Sequence, residues 1–577
     1  MRNWARRRIV VTLSVGLVSL WVLVCGWLVL DARSDVASGA RELRAVRRDA
    51  SIATLVDPTA RSGLDRAGRH FDDADHNLSS PVLAPLRILP VVGRHVRAAD
   101  RLVEGASVGT AAAADALDDL DDLADRPTDD GPARVQTLRD LAATAGQAQE
   151  ALARLDPGSP ESLFAPLGDA IAELATQRDD AARAAGSLER TSLALASLLD
   201  GPDPYLVLGA NNAEMRNGSG MFLSAAELAF SQGDLAMGDV RPTADLVLRA
   251  GAVAAEGDLA RNWPWLEPGR DFRQLGLTAD FPQSAQLAAR TWAEVPGASD
   301  VGGVISIDVD GLRSLLRVVG PVEVDGVEYT SDTVRGELLR QQYQRFGDDQ
   351  DVRRDQVGEV ARAVFDRLEA GEWELADLAT ELADAVQGRH LLIWSSDPAL
   401  QKTWADVGAD GHLDERSVSI GLINRSANKL DSWIETEADL VSVPGGDGDR
   451  RVTITYVVRN EADGSGPAYV AGPNIDGLEA GDHRALVVVN LPAGSTQVVL
   501  EGGRTFLAGG DGPTVVVGAE VTVAAGAQVT VTVTARLPAN LSAIVIEPSA
   551  RIPRARWTVD GTEIERDRRR VVALAGE

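Results

Sequence analysis

The chain has 577 residues, 45% of them apolar, which is ample length for several folded cores and, at roughly 100–200 residues per domain, for about three or four domains. A net charge of −29 with no basic stripe argues against a nucleic-acid partner, because nothing would recover the counterion-release term. A single cysteine, Cys25, excludes an intramolecular disulfide and a Cys-based zinc site, and His70, His76, His95, His390, His412 and His483 have no ligand-like spacing.

In chain order, Arg2, Arg6, Arg7 and Arg8 precede an uncharged run from Ile9 to Leu30, which is as long as the roughly 20 residues a bilayer-spanning helix needs. This predicts a cytoplasmic tail over 1–8, a single transmembrane helix over 9–30 and an extracytoplasmic remainder, since arginines stay inside. The apolar run exceeds the 7–15 residues of a cleaved signal peptide, so an anchor is preferred over that reading. From 31 to 202, apolar residues recur at three- and four-residue spacing in "ADRLVEGASVGTAAAADALDDLDDLAD" and "LRDLAATAGQAQEALARL", which predicts an amphipathic helical stalk or bundle. From 203 to 435, strand-like runs ("YLVLGA", "GGVISIDV", "HLLIWSS") alternate with helical ones, which predicts an α/β domain. From 436 to 577, β-branched alternating runs between Gly/Pro turns predict an antiparallel β-sandwich.

Few motifs carry chemistry. "GASVG" (105–109) matches a nucleophile elbow around Ser107, but it lies in a helical stretch instead of a strand-to-helix turn. "GGDGD" (445–449) offers Asp447 and Asp449 to calcium, although a plain hairpin loop fits the spacing better. The densest polar cluster is "NNAEMRNGSG" (211–220), between two apolar runs. One reading is a turn in which Asn217 and Gly218 supply positive φ. The other is the wall of an anion site, with Arg216 as the bidentate phosphate ligand and Glu214 orienting it or binding a cation. Residue pattern alone leaves both open.

"NNAEMRNGSGMFLS" resembles the Asn-Asn-x-Glu-x-Arg-x-x-Gly-Gly block of a family of bacterial membrane-anchored proteins, the domain of unknown function 4012 family, with Ser219 where that block has Gly. The resemblance continues in "LTADFPQSAQLAARTW" (277–292), "GVISIDVDGLRSLLRVVGPVEVDG" (303–326), "NRSANKLDSW" (424–433), "LRILPVVG" (86–93) and "LVVVNLPAGS" (486–495). More distantly, "GVISIDVDGLRSLLRVVGPVEV" is similar to a segment of the LytR-CpsA-Psr phosphotransferases, which move glycopolymers from a polyprenyl-pyrophosphate carrier onto peptidoglycan. Their arginine-plus-acid motif would fall on Arg216, with Asn217 and Gly218 in place of its aspartate. Their later arginine-rich motif would fall on "QRFGDDQDVRRDQ" (344–356), with Asp355 in place of its last arginine.

That resemblance implies phosphate binding by Arg216, Arg345, Arg353, Arg354 and Asn212, catalysis by Arg216, Glu214 and Arg353, and a magnesium ion on Glu214 with Asp349 or Asp351. The expected function is that of a membrane-anchored, extracytoplasmic cell-envelope protein that binds a polyprenyl-pyrophosphate glycan and transfers it to a cell-wall polymer. The alternative is a non-catalytic envelope scaffold or glycan-binding protein, because fold does not imply function. For Arg345 to Arg354 the competing reading is a solvated helix face of alternating charge.

Overall fold

The computed structural model describes residues 2–48, 58–124, 126, 130–201, 203–346, 350–371, 373–446 and 449–574, and for 2–18, 47–48, 58, 124, 350–357 and 375–376 it describes the backbone alone. Two compact units are formed, one by 1–128 with 133–196 and the other by 129–132 with 197–577.

The first unit is helical, as its mostly Ala- and Leu-rich segments favour. Its main elements are α1 (Arg2–Arg48), α2 (Pro58–Leu78), α3 (Val92–Ala124), α4 (Gly131–Arg154) and α5 (Ala165–Leu199). Small residues let α1 and α2 approach closely. Gly39 faces the ring of Phe71, and a Cβ there would lie 2.8 Å from that ring. Ser107 sits within α3 and donates to Asp72 Oδ1 at 2.6 Å, so it stands on a helix and not on an elbow.

The expected transmembrane helix over 9–30 is not supported. Its first half, up to residue 18, lies outside the described side chains. Among the described residues, no helix is long and apolar enough to cross a membrane. The physical reason lies in the packing of α1 beyond residue 18. Cys25, Leu28 and Ala32 are buried against Ala74, Leu78, Leu83 and Val103, and Trp21 Nε1 donates to Val82 O at 2.9 Å. One face of this stretch of α1 therefore packs on protein.

The second unit opens with a mixed sheet of β1 (Tyr205–Met215), β2 (Gly220–Ser231), β3 (Asp234–Met237), the two-residue β4 (Arg241–Pro242), β5 (Gly303–Asp308) and, after the β6 (Val322–Val324) and β7 (Val327–Tyr329) hairpin, β8 (Leu391–Ser395). The strand order is β3-β2-β1-β5-β8, with β1 and β5 parallel and the other pairs along it antiparallel. Strand alternation divides β1 between two faces. Leu206 and Leu208 enter a core with Phe281, Leu287 and Trp292 of α6 (Phe281–Ala293), whereas Val207 and Gly209 face a cavity on the other side. Asp308 ends β5 and caps α7 (Val309–Val319) by accepting from Asp310 N at 2.9 Å and Gly311 N at 3.0 Å.

Two six-stranded sheets come next in the chain and face each other as a sandwich. Its strands start before residue 436, because Ser417–Asn424 pairs antiparallel with His483–Leu491 and parallel with Ala543–Glu547. Every residue of that first strand is buried. Val418, Ile420 and Leu422 enter the sandwich core, while Ile423 joins Leu486 and Val488 in the same core as Leu206 and Phe281. The sandwich and the mixed sheet thus share apolar packing.

Asp431 ties these parts together. Fully buried, it accepts from Met215 N (3.0 Å), Asn424 Nδ2 (2.8 Å), His483 Nε2 (3.2 Å) and Arg551 Nη1 (3.2 Å). Removing one charge of a buried pair leaves the other uncompensated, at about 3–5 kcal/mol. Asp431→Asn is therefore expected to lower stability by that order in urea melts, and Arg551→Met in the same chain is expected to restore part of the loss. An unchanged midpoint for Asp431→Asn would show that the network carries no weight.

A second buried carboxyl makes stability depend on pH. Burial pushes Asp511 up to about 6, against donors Thr278 Oγ1 (2.5 Å) and Asn490 Nδ2 (3.1 Å). The folded group keeps its proton where the unfolded one has lost it. Its contribution is thus full below about pH 4 and is lost as pH rises to about 6, on the order of 3 kcal/mol. Asp511→Asn is expected to flatten the stability profile between pH 4 and 6.5. Parallel profiles for the two proteins would contradict this assignment.

Candidate functional site

The stretch 211–220 is mostly strand: Asn211–Met215 finishes β1, and only Arg216–Ser219 forms the turn into β2. The pairing of β1 with β2 shifts register after Gly209 and again between Asn211 and Met215, which bends the strand end over the sheet. Arg216 N donates to Ser219 O at 2.8 Å, and Asn217 N donates to Gly276 O at 2.9 Å. Close packing demands two glycines here. A Cβ on Gly220 would lie 2.4 Å from Asn211 C, and one on Gly421 would lie 1.8 Å from Asn217 Oδ1.

Arg216 is buried. Its Nε donates to Arg273 O at 3.1 Å, and its Nη1 donates to Met215 O at 3.1 Å and to Asn424 O at 3.5 Å. The guanidinium thereby clamps three segments, and it also lines the cavity above β1 and β2. That cavity has a volume of about 690 Å³. Its apolar wall includes Val207, Met221, Leu223, Ile307, Leu312 and Phe365, the last from α8 (Gln350–Glu369). Its polar end holds Glu214, Arg216, Arg273, Arg425 and Lys429.

These charges are not equally available. Glu214 contacts Lys429 as an ion pair, and Lys429 Nζ also lies 5.0 Å from the centre of the Tyr469 ring. Burial pulls the Lys429 ammonium down to about 7, with Asp431 pulling the other way. Burial, helped by Arg425, pulls Arg216 down to about 10, opposed by Asp431 and Asp271. Arg273 is held by Asp271 at 2.7–3.0 Å. Arg425 has no ion pair among the described residues, and its Cζ stacks 4.8 Å from the centre of the Trp265 ring. An unpaired guanidinium in a half-closed, cation-rich pocket is suited to an anion.

The structure brings Glu214 and Arg216 together at this cavity and places the other expected residues elsewhere or outside the described side chains. Asn212 faces away and donates to Asp308 Oδ2 at 2.8 Å and Ala550 O at 2.7 Å. Arg345 pairs with Glu337 at 2.7 Å and does not line the cavity. Asp349 lies outside the described residues; Asp351, Arg353 and Arg354 belong to α8, where the backbone alone is described. Of the expected magnesium ligands, Glu214 is engaged by Lys429, and the side chains of Asp349 and Asp351 are not described. The calcium reading of 445–449 loses Asp449, which pairs with Arg536, while Asp447 lies outside the described residues. Sequence reading did not single out Lys429, Arg425, Arg273, Gln274 or Gln342. Two of them stand in "NRSANKLDSW", and the rarity of lysine was a usable signal for Lys429.

Arg216→Ala removes the donors of three carbonyls, and an unsatisfied buried group costs about 1–3 kcal/mol, partly offset by relief of a buried charge. A net loss of about 1–3 kcal/mol is expected in chemical denaturation, with Arg216→Lys recovering little because an ammonium cannot fork across three segments. Equal midpoints for wild type and both variants would mean that the clamp is not structural.

Residues 200–343, from just before β1 to Tyr343, match the family model described as Protein of unknown function (DUF4012). No curated protein matches the chain. The matched segment carries β1, β2, β5, Arg216 and much of the apolar wall of the cavity.

Proposed function

We propose that this cavity binds an anionic lipid, its phosphate at the Arg216, Arg425 and Lys429 end and its apolar chain along the wall of Val207, Met221, Leu223 and Phe365. A polyprenyl phosphate or pyrophosphate, the carrier implied by the resemblance, has this chemistry. The observation that carries the reading is the coincidence, in one cavity of about 690 Å³, of a long apolar wall with an arginine that has no ion pair among the described residues. Binding is the proposed activity. Glu214, held by Lys429, is not placed as a free acid or base for transfer.

The test is calorimetric binding of farnesyl phosphate and of inorganic phosphate to the full chain. Farnesyl phosphate is expected to bind much more tightly, since each buried CH₂ contributes about 0.8 kcal/mol. Arg425→Ala is expected to weaken farnesyl phosphate about ten- to a hundred-fold, the value of a charge-assisted contact, with little change in melting temperature. Binding that ignores both the tail and Arg425 would refute the proposal.

A further inference from the structure

The strand register gives the cavity a direction. Its floor is the strip where β1 and β2 pair antiparallel, with Asn211 opposite Met221, Gly209 opposite Ser224 and Val207 opposite Ala226. Glu214 and Arg216 follow Asn211 in the chain, so the charged groups lie at that end of the strip. At the other end Pro242 and Arg241 of β4 pair with Ser224 and Ala225, which sets Val240 beside Ala226, and Met237 of β3 pairs with Leu228. Val207, Ala226, Met237 and Val240 line the cavity there. From Met221 to Ala226 the strip covers about 17 Å, at roughly 3.4 Å per residue.

Helix α8 roofs this strip. Gly358, Ala361, Arg362 and Phe365 recur at three- and four-residue spacing, so they share one face of the helix, and all four line the cavity. At Gly358 the roof comes down on the far end of the floor. A Cβ built on it would lie 3.4 Å from both Cβ and Cγ1 of Val240, so a longer side chain would fill the space beside Val240. Ala226 is the small residue of the floor at the same place, and it is buried. Space at this end therefore depends on one residue without a side chain and one with a methyl. Volume sets the same limit. A methylene group fills about as much space as a water molecule, roughly 30 Å³, so a cavity of about 690 Å³ holds a phosphate and on the order of fifteen to eighteen carbons.

We infer that the cavity measures its lipid: it encloses a stretch of apolar chain of about fifteen carbons next to the phosphate, and Gly358 and Ala226 are the specificity-determining residues that fix where that stretch ends. The inference rests on the lipid-binding reading above and adds the chain length. Carbons within the enclosed stretch exchange water for apolar wall, and each adds affinity. Carbons past Val240 reach a rim where Asp239 and Glu359 are exposed; they stay in water and add none.

The experiment is calorimetric titration of the full chain with geranyl, farnesyl, geranylgeranyl and geranylfarnesyl phosphate, each one isoprene unit longer than the last. Wild type is expected to gain at least about tenfold in affinity from geranyl to farnesyl phosphate and less than about threefold from geranylgeranyl to geranylfarnesyl phosphate. Gly358→Leu and, separately, Ala226→Leu fill the far end. Each is expected to cut the preference for farnesyl over geranyl phosphate by about fivefold or more, because the longer chain loses its place and the shorter one never reaches it. The two residues stand on different elements, so either variant carries the test if the other does not fold. An equal gain with every added unit in wild type, or equal losses for both lipids in the variants, would overturn the inference while leaving lipid binding intact. Failure of all four lipids to bind would overturn the lipid-binding reading with it.

Discussion

The second unit depends on one buried carboxylate. Asp431 collects a backbone amide from the end of β1, an asparagine amide from the strand Ser417–Asn424, an imidazole from the sandwich and a guanidinium near the C-terminus. A carboxylate out of water needs such donors to balance its desolvation. Because those donors come from segments far apart in sequence, satisfying one side chain fixes the mutual placement of the mixed sheet and the sandwich. The shared apolar core of Ile423, Leu486, Val488 and Leu206 supplies the bulk of the packing, but it is non-directional. Direction comes from the polar hub.

The cavity inherits its shape from that junction. Arg216 is held by carbonyls from its own turn, from the segment at Arg273 and from Asn424, whose side chain in turn donates to Asp431. Burial then sorts the charges. Glu214 and Lys429 satisfy each other, and Arg273 is held by Asp271. Arg425 stacks on an aromatic face and makes no ion pair among the described residues, with the Glu520 carboxylate acting on it only from a distance, which leaves its guanidinium open to a ligand. A site of this kind binds by residual charge: what matters is which cations, here Arg425 and also the lining Arg362, have no ion pair among the described residues.

Much of the local structure was legible. "YLVLGA" and "GVISID" read as strands because apolar β-formers run between turn residues, and they form β1 and β5. "DGLRSLLRVVG" has the three- and four-residue spacing of a helix and forms α7; that Asp308 caps it came from the structure. "RRVTITYVVRN" alternates, and alternate residues are buried. The uncharged run at 9–30 misled for a physical reason. Hydropathy counts apolar residues but cannot tell a lipid-facing helix from one whose Cys25, Leu28 and Ala32 pack on a neighbouring helix. The "NNAEMRNGSG" cluster was recognisable as unusual, yet its split into a strand end and a four-residue turn was not, since the bulges that bend β1 depend on its pairing with β2.

By itself, the amino-acid order determined the elements that depend on near neighbours: the helix faces, the strand alternation, the turns at glycine, and the presence of Arg216 and Glu214 in a polar block between apolar runs. These rest on backbone geometry with a period of a few residues. Tertiary structure alone decided the pairings. Nothing local makes Glu214 meet Lys429, leaves Arg425 on Trp265, or turns Asn212 away toward Asp308. Most of these join segments tens to hundreds of residues apart, and which side chain is satisfied is settled only when all the buried polar groups are paired together.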